Sequence, residues 1–136
     1  MDAESRWNLR RVVTWTIAIA AAHFILGTRT HSVHGLHVFL SGLFLIPVLI
    51  AAGAFGIRGG LWTALVAGSL YLGHLLWSWR DSPMANADQF GMIGVYFVVA
   101  VAAGRLVALA NWRKEQRDEV IRRANAREVG ERSPAL

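Results

Sequence analysis

Four long apolar stretches run through this chain of 136 residues: Val12 to Thr28, Leu36 to Phe55, Leu61 to Trp79 and Phe90 to Ala110. Each is about the 17–25 residues that cover a hydrocarbon core of roughly 30 Å. Inside a bilayer no water is present to satisfy backbone N–H and C=O groups, so a single segment that crosses must be helical. The expected fold is therefore all-α: an integral membrane four-helix bundle. The spans fall at about 12–28, 36–55, 61–79 and 90–110, within a membrane domain of residues 1–112. A hydrophobic content of 54% and a mean hydropathy of +0.38 are too apolar for a soluble domain of this size, and four spans account for the excess.

The charges orient these spans. Of 14 Lys and Arg residues, all but Arg29 and Arg80 lie in the N-terminal segment, at Arg58, or from Arg105 onward. Cationic residues stay on the cytoplasmic side, so both termini and the Arg58 turn are expected there, in a multi-pass protein of the bacterial inner membrane. The net charge of +5 and pI near 11 do not indicate nucleic acid, because the basic residues flank membrane spans, where anionic lipid attracts them. The expected partners are the lipid bilayer and a protein reached through the C-terminal segment or by helix packing. With no cysteine, thiol catalysis, disulfides and iron–sulfur clusters are excluded.

The first span admits a second reading. Arg6, Arg10 and Arg11 precede an apolar run ending Ala20-Ala21-Ala22, whose small residues suit a signal-peptidase site. Cleavage there would make His23 the new N-terminus. Retention is favoured, because the apolar run continues through Phe24, Ile25 and Leu26 to a full spanning length.

In the second span, Pro47 lacks an N–H and is expected to kink the helix. The run from Gly56 to Gly60 predicts a very short turn and a tight antiparallel hairpin of spans two and three. Small residues at Ala52 and Gly56, Ala64 and Gly68, and Ala100 and Gly104 have the spacing that lets membrane helices approach closely. Neither proline nor glycine interrupts Arg105 to Arg127, and this stretch is rich in helix formers. The last span is thus expected to continue as a cytoplasmic helical extension over residues 113–129. Glu115 and Glu119 stand at pairing distance from Arg122 and Arg123, and Val120 and Ile121 form a short apolar stripe. Residues 130–136 are expected to be a disordered end.

Threaded this way, all five histidines fall in the outer half of the membrane or in the outer loops. His37 opens the second span, with His31 and His34 before it at three-residue spacing. His23 lies near the outer end of the first span. His74 lies near the outer end of the third, with Tyr71 one turn deeper on a similar face. Neutral imidazole is the commonest ligand for zinc, copper, nickel and iron, and carboxylates such as Asp81 or Asp88 can complete a shell. The candidate ligand or metal residues are His37, His74, His23, His34, Tyr71 and Asp88, with His37 and His74 the leading metal pair. Counted from Arg58, His37 and His74 differ in height by roughly 7–8 Å at about 1.5 Å per residue. A transition metal, a shared proton, or a haem b held from both sides would each use such residues. No nucleophile–base set, H-E-x-x-H or phosphate-binding glycine loop is present, so enzymatic activity is not expected.

The stretch HVFLSGLFLIPVLIAAGAFGIRGGLWTALVAGSLYLGHLLWSW, from His37, resembles the multi-span N-terminal input domain of certain bacterial sensor histidine kinases. The resemblance rests on His37, Pro47, the Gly56–Gly60 turn, Tyr71-Leu72-Gly73-His74, and Asp88-Gln89-Phe90 at the head of the fourth span. The chain departs from that pattern at Ser41-Gly42 and Phe44-Leu45, where such kinases commonly carry basic and aromatic residues, and at Gly73, where proline is usual. These 136 residues contain no phosphotransfer or ATP-binding region. For them the resemblance implies a signal-input module without kinase activity. The expected function is a sensory or regulatory membrane module that responds to a metal ion, proton or small ligand and signals through the last span. A haem- or quinone-associated subunit of a redox complex, or a structural assembly subunit, is the alternative.

Overall fold

The computed structural model describes residues 1–27, 34–78 and 87–132. Helix takes 97% of them and strand none, so the packing is of helix against helix, with the turn residue Phe44 in the core. The elements are α1 (Ala3–Gly27), α2 (His34–Leu43), α3 (Leu45–Ser78) and α4 (Ala87–Arg132). Among the described residues three helical segments are long and apolar enough to cross a membrane: Ala3–Leu26, Gly35–Trp77 and Phe90–Arg127.

Asp2 starts α1. Its carboxylate accepts a hydrogen bond from the Ser5 N–H at 2.7 Å, which satisfies one of the free donors of the first turn. Hydrogen bonds from Ser5 hold the Asp2 carboxyl below its usual value. Farther along, α1 buries Val12, Thr16, Ile19 and His23, at helical spacing that makes one stripe. Within it the Thr16 hydroxyl donates to the Val12 carbonyl at 2.8 Å, so this buried hydroxyl needs no partner on another helix.

The second span, expected to kink at Pro47, is divided in two a few residues earlier. α2 ends at Leu43, Phe44 is a turn, and α3 begins at Leu45. Pro47 explains the position of the break: its ring conflicts with the carbonyl four residues earlier, that of Leu43, and it offers no N–H to bond there. The chain tightens locally, and Phe44 donates to the Ser41 carbonyl at 3.1 Å, one residue short of the α-helical partner. That carbonyl also accepts the Tyr96 hydroxyl from α4 at 2.7 Å. A phenol from a distant helix thus helps to satisfy the backbone at the kink, as a break in an apolar environment requires.

The expected turn over residues 56–60 shrinks to one residue. Gly56 has φ 68° and ψ −162°, helix resumes at once, and Arg58, Gly59 and Gly60 are helical. Only glycine adopts that backbone without strain. The direction reverses there: Gly60 lies against Ala52, and His37 meets His74. Gly56 therefore splits the 43-residue apolar segment Gly35–Trp77 into arms 35–55 and 57–77 of 21 residues each.

α4 packs along α3, with Gly104 directly against Ile57. A Cβ placed on Gly104 would stand 2.7 Å from the backbone of Ile57. The core between the helices consists of Ile19, Phe44, Val48, Ala64, Ala67, Tyr71, Leu75, Tyr96 and Ala100. Beyond Val107 the described side chains of α4 are exposed, and the helix runs unbroken to Arg132, past Gly130. Adding a residue to an existing helix fixes one residue for one hydrogen bond, so a single glycine does not end it. The Glu119–Arg123 ion pair at 2.8 Å lies on this exposed part.

Two glycine substitutions should separate these roles in detergent or bicelle unfolding. Gly56→Ala strains the reversal, and Gly104→Val forces α4 away from Ile57; each should cost about 1–3 kcal/mol. Gly53→Ala meets nothing within 4 Å and should be neutral or stabilising by up to about 1 kcal/mol. Equal losses in all three variants would contradict the assigned contacts.

Candidate metal centre

Three helices each contribute one imidazole to a single point. His23 comes from α1, His37 from α2, one turn before Ser41, and His74 from the second arm of α3. Their exposures are 1%, 3% and 0%. Ring centroids are 4.4 Å apart for His23 and His37, 4.5 Å for His23 and His74, and 5.2 Å for His37 and His74. The single-residue turn explains the match in height. With Gly56 as the apex, His37 lies 19 positions before it and His74 18 after it, so the offset expected from a turn at Arg58 disappears.

One ligand nitrogen from each ring can be chosen so that all three lie within 4.8 Å of one another. In a tetrahedral zinc site with bonds of about 2.0–2.1 Å the nitrogens lie roughly 3.4 Å apart. Neither nitrogen of His23 has a hydrogen-bond partner, although both are sealed from solvent. An unsatisfied buried donor or acceptor costs about 1–3 kcal/mol. A bound ion coordinated by that ring would remove part of this cost.

The walls are aromatic. Tyr71 lies 5.2 Å from His23 and 5.8 Å from His37, Phe24 packs edge-on against His74 at 4.9 Å, and Phe44 lies 6.2 Å from His23. Tyr71 sits one turn before His74 on the same helix, nearer Gly56. Tyr96 adjoins Tyr71 at 6.4 Å, which carries the ring stack on to α4. Among the described residues the cluster contains imidazoles and no carboxylate. Haem fits poorly. Axial ligation needs two imidazoles on opposite faces of a macrocycle, whereas these three rings contact one another and leave no slot.

Of the residues singled out from sequence, His23, His37, His74 and Tyr71 are brought together. His34 and Asp88 stand in the first turns of α2 and α4, but their side chains lie outside the described residues, as do His31 and Asp81 entirely. Sequence reasoning missed Ser41 and Tyr96. A signal for both existed: a tyrosine amid an apolar span must find an acceptor, and a proline six residues after Ser41 frees backbone carbonyls nearby. No protein-family model matches the chain, and no curated protein or solved structure matches it either.

The strain at His23 has a measurable consequence. In metal-free, chelator-treated protein, His23→Leu should unfold at the same temperature as the parent or higher, because the orphaned polar ring is replaced by a side chain that needs no partner. Zinc should raise the parent's unfolding temperature and leave that of His23→Leu unchanged. A large loss of stability in the metal-free variant would show that His23 is held by contacts absent from this account.

Proposed function

We propose that this chain is a small four-span sensory or regulatory module of the bacterial inner membrane, whose three-histidine centre binds a divalent transition metal such as zinc, copper or nickel. The convergence of His23, His37 and His74 from three helical elements, buried and within coordinating reach, carries this reading. The two 21-residue arms around Gly56 are each long enough to cross a bilayer, which with α1 and α4 supports a reading of four spans. Large apolar side chains such as Ile17, Phe39, Leu49 and Val98 face outward, as lipid contact requires. The charge distribution supports an orientation with both termini and Gly56 on the cytoplasmic side and the histidines in the outer half. The likeness of residues 37–90 to sensor-kinase input domains points the same way.

In this reading the metal is the signal and helix packing the response. His23, His37 and His74 would supply three neutral ligands, leaving a further position to water or an anion. An anion there offsets charge that three neutral ligands leave uncompensated in a medium of low dielectric. Coordination through His37 would draw α2 toward α1 and α3. Ser41 follows His37 on α2 by one turn, and its carbonyl holds the Tyr96 hydroxyl of α4. A shift of α2 therefore changes the packing of α4, which extends to Arg132 and presents the exposed Val120 and Ile121 to a protein partner. The ion biases the equilibrium only by its differential affinity for the two packings.

Purified protein should bind one zinc, nickel or copper ion per chain, and His37→Ala and His74→Ala should each lower affinity by more than about 100-fold, beyond the loss typical of an outer-shell change. Combining the two substitutions should add little, since one lost ligand already disables the site. Tyr96→Phe should retain the metal but uncouple α4. The chain has no native cysteine, so a single spin label at Val120→Cys reports α4 directly. Zinc should change that label's spectrum or distance in the parent and not in Tyr96→Phe. Stoichiometric binding that survives loss of both His37 and His74 would overturn the assignment.

A further inference from the structure

The cytoplasmic end of the α3–α4 pair carries a second feature that the metal centre does not use. Gly104 rests on the backbone of Ile57, so the next residues along each helix, Arg58 and Arg105, are neighbours on two touching helices. Both are exposed, and neither has a carboxylate partner among the described residues. Two adjacent like charges without counter-charge cost free energy unless an anion lies between or beside them.

Each arginine also stands at the inner end of an apolar groove. One groove is lined by Arg58, Leu61, Trp62, Leu65 and Phe97. The other is lined by Phe97, Val98, Val101, Ala102 and Arg105. They meet at Phe97, about 10–12 Å outward from the arginines at about 1.5 Å per residue. A pair of cations at one end and a greasy channel leading away from it match a molecule with an anionic head and hydrocarbon tails. Guanidinium groups suit phosphate in particular, because their donors bind two oxygens at once.

We infer that Arg58, Arg105 and the grooves meeting at Phe97 form a binding site for an anionic phospholipid of the cytoplasmic leaflet, with its phosphate on the two arginines and an acyl chain against Phe97. This rests on the membrane-spanning reading above, which places Gly56 and its flanking residues at the inner surface. Residues 58–65 and 97–105 lie on the two helices that meet at Gly104, so a lipid bound there bridges α3 and α4 and stabilises their contact.

The test uses the full chain, first in membranes and then in detergent. Recovery in the soluble fraction after expression would remove the membrane reading itself, whatever happens with lipid. Given membrane insertion, native mass spectrometry with added phosphatidylglycerol or phosphatidylethanolamine reads the inference alone. Phosphatidylglycerol should be retained at one molecule per chain and raise the unfolding temperature, phosphatidylethanolamine should do neither, and free inorganic phosphate should not substitute. Arg58→Gln with Arg105→Gln should reduce phosphatidylglycerol retention at least tenfold. Arg11→Gln, which removes a cytoplasmic charge outside the grooves, should leave it unchanged. Phe97→Ala preserves every charge and should weaken lipid retention while leaving zinc binding intact, which separates this site from folding. Equal retention of the two lipids, equal loss in Arg11→Gln, or retention of inorganic phosphate in place of lipid would overturn the inference.

Discussion

Residues outward of Gly56 take their register from it. The backbone there has φ 68° and ψ −162°, helix occupies both sides, and the two arms therefore leave the turn in step. A longer loop would let one arm slide relative to the other by one rise per added residue, about 1.5 Å, and turn its faces by about 100°. With a single-residue reversal, Gly60 lies on Ala52 and the histidines far from the turn arrive at one height. Close backbone approach maintains this alignment, because packing, not the hydrophobic effect, holds helices together in lipid. Gly104 against Ile57 extends the same principle to α4.

The price of that alignment is a polar cluster in an apolar setting. Natural cores rarely bury several imidazoles together, since each carries a donor and an acceptor that require partners. Here the surroundings are Tyr71, Phe44 and Phe24, and His23 is left with neither nitrogen satisfied. Leucines would have packed there at lower cost. Three convergent imidazoles have the geometry of a ligand set, and an ion held by them would relieve the unmet hydrogen bonding of His23. The Tyr96–Ser41 hydrogen bond makes the arrangement more than a static clamp. It attaches the helix bearing His37 to the helix that extends farthest beyond the apolar core.

Much of this could be read from the sequence for identifiable reasons. Apolar runs of spanning length announced helices, and the glycine run announced a reversal between His37 and His74. The depth of His23 followed from its place in the first run, which made it a candidate third member. Composition could not show that the reversal uses Gly56 alone, because Gly59 and Gly60 are equally permissive and only the packed structure reveals that they are helical. That difference accounts for the height mismatch expected from sequence. Pro47 foretold a kink but not its position at Phe44, which depends on a carbonyl four residues upstream. Ser41 and Tyr96 lie 55 positions apart, and no local pattern links them.

Zinc-edge X-ray absorption of the loaded, intact protein tests the centre most directly. Three imidazoles on one ion give nitrogen scatterers at about 2.0–2.1 Å together with the outer-shell multiple scattering characteristic of rigid rings. A fit with three histidines in the parent, and no zinc retained by His23→Leu after the same loading and washing, is the expected result. A first shell of oxygen alone, or a single imidazole that persists when His23, His37 and His74 are replaced in turn, would contradict a shared three-histidine centre.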